Sequence, residues 1–123
     1  MGGRGAYWDK VGQIAKQASK ESDGESKKIS FNSKQIGTKI SKHAHEFGLD
    51  PRDNGDRAKF LDITKDIIDN YSEKRQGTWR SQPNPCTFYI KGTSVVVVNA
   101  NNEYVTTMQN GVINDNVKRG KKV

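Results

Sequence analysis

The sequence predicts an α+β domain in which N-terminal helices pack on one face of a four-stranded antiparallel sheet. In the first half of the chain, apolar residues recur at the spacing of amphipathic helices, whereas from residue 77 onward they form short β-branched and aromatic runs. Gly92 with Thr93, and Asn101 with Asn102, are tight-turn signals between the last three runs. These turns favour an antiparallel meander.

The first half of the chain predicts three helices, of which the second carries the candidate site. The first helix has about a dozen residues between 7 and 18, and the second covers residues 33–47. The third is a long helix that follows a cap sequence at 53–56 and ends near residue 72. Asn32 is a typical N-cap for the second helix, and Gly48 suits a left-handed C-terminal cap.

The second half predicts the four strands. They are residues 77–81, 87–91, 94–100 and 103–109. The run from Val95 to Val98 is apolar on both faces, which indicates a central strand. Because the helices cover one face of the sheet, we expect the other face to stay partly open and to suit RNA as a binding platform.

The chain divides into a lead, a domain and a tail. We expect residues 1–30 to contain a glycine-rich lead, a short helix and a mobile linker at 20–28, and residues 31–110 to form the domain. Residues 111–123 are expected to be a basic, poorly ordered tail. The glycine-rich start is typical of a boundary cut out of a longer protein.

Composition limits the function classes. The 123 residues suit one small core, and the net charge of +7 attracts polyanions such as nucleic acid or an acidic protein. No apolar run reaches the roughly 18 residues of a membrane span. Cys86 is the single cysteine, and His43 and His45 point to opposite helix faces, so the sequence predicts no disulfide, no metal site and no cofactor.

The second helix holds one histidine against the core. Its apolar stripe consists of Ile36, Ile40, Ala44 and Phe47. His43 lies at the edge of this stripe with Lys39 one turn before it and Lys42 beside it, whereas His45 points to solvent. A cation next to a half-buried imidazole lowers its pKa and favours the neutral form that a general base requires. The same pattern also fits a histidine that only packs.

RNA cleavage by the ribose 2′-hydroxyl needs a base, an acid, and cations or hydroxyl donors at the phosphate. His43, Lys39, Lys42, Arg80 and Thr106 include these side-chain types. An exposed Trp79 would stack on an unpaired base while Arg80 binds phosphate; the alternative is a tryptophan packed in the core. Alternation along the last strand places Tyr104, Thr106 and Met108 on one face and Val105 and Thr107 on the other. Glu46 either orients His43 or pairs with a lysine.

Three segments between residues 39 and 107 resemble the colicin D ribonuclease domain. Residues 42–49, KHAHEFGL, are similar to its lysine-histidine-alanine-x-acid-phenylalanine-glycine-aliphatic motif. Residues 77–80, GTWR, resemble its glycine-threonine-tyrosine-arginine segment, and residues 87–107 resemble its valine-rich hairpin and the strand that carries a serine. Domains of this kind also occur as C-terminal toxins of contact-dependent growth inhibition proteins.

The resemblance implies a secreted or cell-surface-delivered bacterial toxin that acts in the cytoplasm of the target cell. It would cut tRNA in the anticodon loop without a metal and leave a 2′,3′-cyclic phosphate. The implied fold is the one shared by barnase, EndoU, colicin and RelE-like nucleases. The implied partners are tRNA and a cognate immunity protein, which we expect to be acidic; a host translation factor is left open as a third partner.

Carried over by motif, the resemblance makes His43 the catalytic histidine, Lys42 the lysine before it, and Thr106 the replacement for a catalytic serine. Ile40 stands where the family has a second lysine, so Lys39 would substitute for it, and Met108 stands where the family has a functional tryptophan. Substrate contacts are then expected from Thr78, Trp79 and Met108, with Arg80 joining the catalytic group. A basic RNA-binding module without catalysis, with a structural His43 and Thr106, is the alternative.

Overall fold

The computed structural model describes residues 24–80 and 82–123, together with the backbone of two short paired strands before them. These are β1 (Gly5–Ala6) and β2 (Trp8–Asp9), which pair antiparallel. Trp8 is therefore in a strand, and the rest of the helix predicted over residues 7–18 lies outside the described residues.

Two helices and a five-stranded antiparallel sheet form the body of the fold. The helices are α1 (Ser33–His43) and α2 (Asn54–Asp69), and the strands are β3 (Glu73–Gly77), β4 (Cys86–Lys91), β5 (Ser94–Val98), β6 (Tyr104–Met108) and β7 (Lys121–Lys122), with a short α3 (Asp115–Arg119) before β7. The order across the sheet is β6-β5-β4-β3-β7, and every neighbouring pair is antiparallel. The α+β class is confirmed, but the predicted count of four strands is wrong.

Helix α1 begins and ends where its capping residues indicate. The Asn32 side chain accepts hydrogen bonds from the backbone N–H groups of Lys34 and Gln35, both at 3.0 Å. The helix tightens into a 3₁₀ turn over Ala44–Phe47, and Gly48 then takes the left-handed conformation with φ of 73°. Because the last turn is tighter than an α-helix, the continuous helix predicted over 33–47 is wrong in its final four residues.

The first hydrophobic core lies between the two helices and one face of the sheet. Its members are all aliphatic or aromatic, and the most buried are Ala44, Phe60, Ile68, Val96 and Val98. Under this core Thr107 exchanges hydrogen bonds of 2.8 Å with Thr64 of α2 and with the Tyr104 hydroxyl. The hydroxyl groups on this side of β6 are therefore paired, as most buried hydroxyls are.

The first strand of the main sheet differs from the prediction. Strand β3 covers Glu73–Gly77, whereas the sequence predicted residues 77–81. The sequence did not predict β3 because its side chains are mostly charged. These charges are paired within the fold: Arg75 donates to the Val117 carbonyl and to Glu73. Residues 78–80 instead leave the sheet as a loop, which matters for the site below.

A second core fills the face of the sheet that was predicted to be open. Phe88, Val95, Val97 and Val117 are fully buried there, and Val112 packs against them. The C-terminal segment covers this face, because α3 supplies Val117 and β7 pairs with β3. The predictions of an open RNA platform and of a poorly ordered tail are therefore both wrong.

Residues 24–28 also belong to the fold. They form a 3₁₀ turn over Glu25–Lys28, in which Ser26 is buried and donates from both its backbone N–H and its hydroxyl to Asp69, each at 2.8 Å. Burial raises the pKa of Asp69, and the two bonds from Ser26 partly oppose that rise. The mobile linker predicted at 20–28 is thus wrong from residue 24 onward.

We expect Val117→Ala to lower the free energy of unfolding by about 2 kcal/mol, because it leaves a cavity in the second core. Val123→Ala is the matched control, since Val123 is 69% exposed and should change little. Chemical denaturation measures both. Equal stability of Val117→Ala and the unmodified chain would contradict the packing of the C-terminal segment.

Candidate active site

Helix α1 runs beside β6, an edge strand of the sheet, and presents its basic side chains there. Gln35 Nε2 donates to the Val105 carbonyl at 2.6 Å, which joins the first turn of α1 to that edge. Lys39, Lys42 and His43 follow in the last two turns. His45 is exposed, as the helical spacing predicted, and His43 is half-buried at the edge of the apolar stripe.

His43 is bound to a carboxylate. Its Nδ1 lies 2.5 Å from Glu46 Oε2, and only 13% of the His43 side chain is exposed. The other carboxylate oxygen of Glu46 accepts the backbone N–H of Gln109 at 3.1 Å, at the end of β6. A proton on Nδ1 donated to Glu46 leaves Nε2 with its lone pair directed away from the carboxylate. The pair thus resembles the oriented histidine of a general base.

Glu46 is held in its charged form. Burial raises its pKa, but the hydrogen bonds from His43 and from the Gln109 N–H lower it by more, so the net shift is downward. A carboxylate that stays ionised orients the imidazole and stabilises the imidazolium that forms when His43 takes a proton. The sequence left open whether Glu46 orients His43 or pairs with a lysine. The structure shows Glu46 in contact with His43.

Lys39, Lys42 and Arg80 form a cluster of positive charge. Burial, followed by the charges of Lys42 and Arg80, lowers the pKa of Lys39. Arg80 therefore lies near enough to α1 to act on Lys39, although 41 residues separate them in the chain. In the described part of the chain no ion pair neutralises any of the three. Such an unpaired cluster is suited to an anion with several oxygens.

The loop after β3 places Arg80 by means of the tryptophan before it. Trp79 is only 5% exposed and packs edge-on against Phe88, with 6.0 Å between ring centroids. The guanidinium carbon of Arg80 lies 4.8 Å from the centroid of the Trp79 ring, and Arg80 has a positive φ of 29°. The alternative of a Trp79 packed in the core is therefore confirmed and the exposed, base-stacking ring is wrong; the Trp79 ring supports Arg80 instead. Thr78 is exposed, and its carbonyl accepts from the Asn116 side chain.

A bulge in β6 changes the direction of Thr106. Val97 pairs with Thr106 but Val98 pairs with Tyr104, so Val105 is an extra residue. Tyr104 and Thr107 consequently face the helices, whereas Thr106 and Met108 face the second core. The predicted alternation, which grouped Tyr104 with Thr106, is wrong because a bulge reverses the faces after it.

Thr106 carries a buried hydroxyl with nothing to bind. Thr106 is only 2% exposed. Its Oγ1 has no hydrogen-bond partner among the described residues. No hydrogen bond joins it to His43; Met108, on the same strand face, lines a pocket with His43. A buried hydroxyl without a partner costs stability.

We expect Thr106→Val to raise the free energy of unfolding by about 1 kcal/mol, since it removes a buried unpaired hydroxyl and keeps the shape. Thr107→Val is the matched control and should lower stability by about 1–3 kcal/mol, because it leaves Thr64 and Tyr104 without their shared partner. Thermal unfolding measures both. A destabilised Thr106→Val would mean that the hydroxyl is paired.

A pocket of about 510 Å³ opens beside the His43–Glu46 pair. The residues that line it are His43, Glu46, Met108, Gln109, Asn110, Gly111, Ile113, Asn114 and Asp115. Sequence reasoning assigned Met108 to this region but missed the rest of the lining: it ended the last strand at residue 109 and placed residues 111–115 in a tail. The Asn114 cap and the apolar Val117 were the signals of a packed segment, and Asn114 Oδ1 does accept the Asn116 N–H.

The described residues contain no group of three or more His, Cys, Asp or Glu side chains that could hold a metal ion. They also contain no helix that is long and apolar enough to cross a membrane. Cys86 is buried, and burial raises the pKa of its thiol, so it is a poor nucleophile.

Fold and site together define a basic α+β domain with a histidine–carboxylate pair at the end of α1 and a cluster of three cations from α1 and the loop after β3. Comparisons with models of protein families, with curated proteins and with solved structures each found no significant match to the chain.

Proposed function

We propose that the protein is a bacterial toxin ribonuclease that cuts tRNA by attack of a ribose 2′-hydroxyl. The observation that carries this proposal is the contact of His43 with Glu46 at the same helix end as the cation cluster of Lys39, Lys42 and Arg80. The resemblance of residues 42–49 to the colicin D motif supports the same chemistry. The anticodon loop as target and the barnase, EndoU, colicin and RelE-like fold belong to this proposal.

The reaction needs one proton acceptor and one proton donor. His43 Nε2 takes the proton of the 2′-hydroxyl, and the freed oxygen attacks the adjacent phosphorus. The bond from phosphorus to the 5′-oxygen breaks, which yields a 2′,3′-cyclic phosphate and a 5′-hydroxyl end. Lys42 and Arg80 stabilise the negative charge that grows on the phosphate oxygens during this step.

Lys39 is the proton donor in this scheme. Its pKa is lowered by burial and by the charges of Lys42 and Arg80, which makes the ammonium a stronger acid. A proton from Lys39 to the 5′-oxygen leaving group completes the balance begun at His43. This role also explains how one lysine can serve where Ile40 replaces the second lysine of the motif.

The test is incubation of the purified chain with bulk tRNA in EDTA, followed by a denaturing gel. We expect discrete fragments, because no step of the scheme uses a divalent metal. His45→Ala is the active control and His43→Ala the inactive one. Intact tRNA that is shifted on a native gel would instead establish the alternative, a basic RNA-binding module without catalysis.

A ribonuclease of this kind would kill the cell that makes it, so we propose an acidic immunity protein that covers Lys39, Lys42 and Arg80. Opposite charge steers such an encounter, and association should therefore slow as salt rises. We expect the bound immunity protein to prevent tRNA binding, and Lys42→Glu to weaken the complex. A complex that still binds tRNA normally would contradict this placement.

A further inference from the structure

The pocket beside His43 has two kinds of wall. Met108 and Ile113 give it apolar sides, and Ile113 is 68% exposed although it is a large aliphatic residue. Asn110, Asn114 and Asp115 give it polar groups. Apolar walls with a few polar groups are typical of sites for a flat, hydrogen-bonding ligand. The pocket is open to solvent on the same side as the catalytic pair.

The segment that forms the pocket is held against the sheet. A Cβ atom on Gly111 would lie 2.6 Å from the Val95 Cβ, so only glycine lets the backbone approach the second core this closely. Asn114 then accepts the Asn116 N–H at 2.9 Å, and Val117 is fully buried behind it. The residues between these anchors therefore lie in a segment that is packed on the sheet at both ends.

Asp115 is the available carboxylate of the pocket. Both oxygens of Glu46 are already engaged, by His43 and by the Gln109 N–H, whereas Asp115 is exposed and makes no ion pair among the described residues. A carboxylate repels the phosphates of RNA but accepts hydrogen bonds from N–H groups on base edges. Guanine is the RNA base that offers two adjacent donors, N1–H and the N2 amino group, to one carboxylate.

We propose that this pocket binds an unpaired guanine of the RNA substrate. Asp115 accepts from N1–H and N2–H, and Met108 and Ile113 contact the faces of the ring. The inference rests on the proposed function, because it takes RNA as the ligand. To that function the inference adds a specificity: the site selects a guanine nucleotide next to the cleaved phosphate.

The experiment titrates the chain with the four nucleoside 3′-monophosphates and follows the backbone amide resonances of Gly111 and Asn114. We expect guanosine 3′-monophosphate to bind about tenfold more tightly than the other three, since a bidentate pair of this type discriminates by roughly 10-fold or more. Asp115→Asn should remove that preference. Asp66→Asn, which removes an equal charge outside the pocket, should keep it. Ile113→Ala should weaken all four nucleotides alike.

Equal binding of the four nucleotides, no binding at all, or a guanine preference that survives in Asp115→Asn would each overturn the inference. The proposed function fails separately. Cleavage of tRNA without guanine selection would leave the ribonuclease intact and remove this pocket assignment. Selective binding of guanosine 3′-monophosphate without any cleavage would keep the pocket and remove the enzyme.

Discussion

His43→Ala should lower the rate of tRNA cleavage by about 10²–10⁴-fold, because it removes the general base. The fold should survive, since His43 is the last residue of α1 and its polar partner is Glu46. Single-turnover cleavage of tRNA measures the rate, and thermal unfolding checks the fold. Toxicity in cells should fall with the rate.

His45→Ala is the control for this loss, because the exposed ring of His45 lies two residues away on the same 3₁₀ turn as Glu46. It should be nearly silent. An inactive His45 variant together with an active His43 variant would contradict the assignment of the base.

Lys39→Arg should also reduce the rate by about 10²–10⁴-fold, although the positive charge stays. An arginine is not deprotonated in proteins, so it can bind phosphate but cannot donate a proton to the leaving oxygen. Lys34→Arg, five residues earlier on the same helix and exposed, is the matched control. Full activity of Lys39→Arg would show that residue 39 supplies charge alone.

The pH dependence of the cleavage rate also distinguishes whether Lys39 donates a proton or supplies only positive charge. An acid must be protonated, so the rate should fall as pH rises through the pKa of Lys39, which lies below its usual 10.5. Lys42→Ala removes a neighbouring cation, favours the charged form of Lys39, and should move this alkaline limb to higher pH. An unmoved limb would exclude Lys39 as its source.

The helical half of the site was readable from the sequence because its signals are local. Asn32, the Ile36 stripe and Gly48 each act within one or two turns, so spacing alone placed His43 correctly. Strand β3 was not readable, since its side chains are charged and its pairing with β4 and β7 is decided by distant residues. Tertiary context overrode local propensity there.

Other parts of the site depend on single features that no periodicity reveals. The bulge at Val105 turns Thr106 to the second core, and the positive φ of Arg80 lets its guanidinium lie over Trp79. Val117 and Val112 pack a charged segment onto the sheet, and β7 adds backbone pairing with β3. Sequence reasoning therefore named Arg80 and Thr106 as candidate site residues, which stays a prediction, but could not place their side chains.

The most direct test of the central claim uses a tRNA whose cleaved nucleotide, once mapped, is replaced by its 2′-deoxy form. The proposed reaction predicts complete protection at that phosphate in EDTA, while the unmodified tRNA yields a fragment that ends in a 2′,3′-cyclic phosphate. Cleavage of the deoxy substrate at the same phosphate would contradict attack by the 2′-hydroxyl and remove His43 as its base.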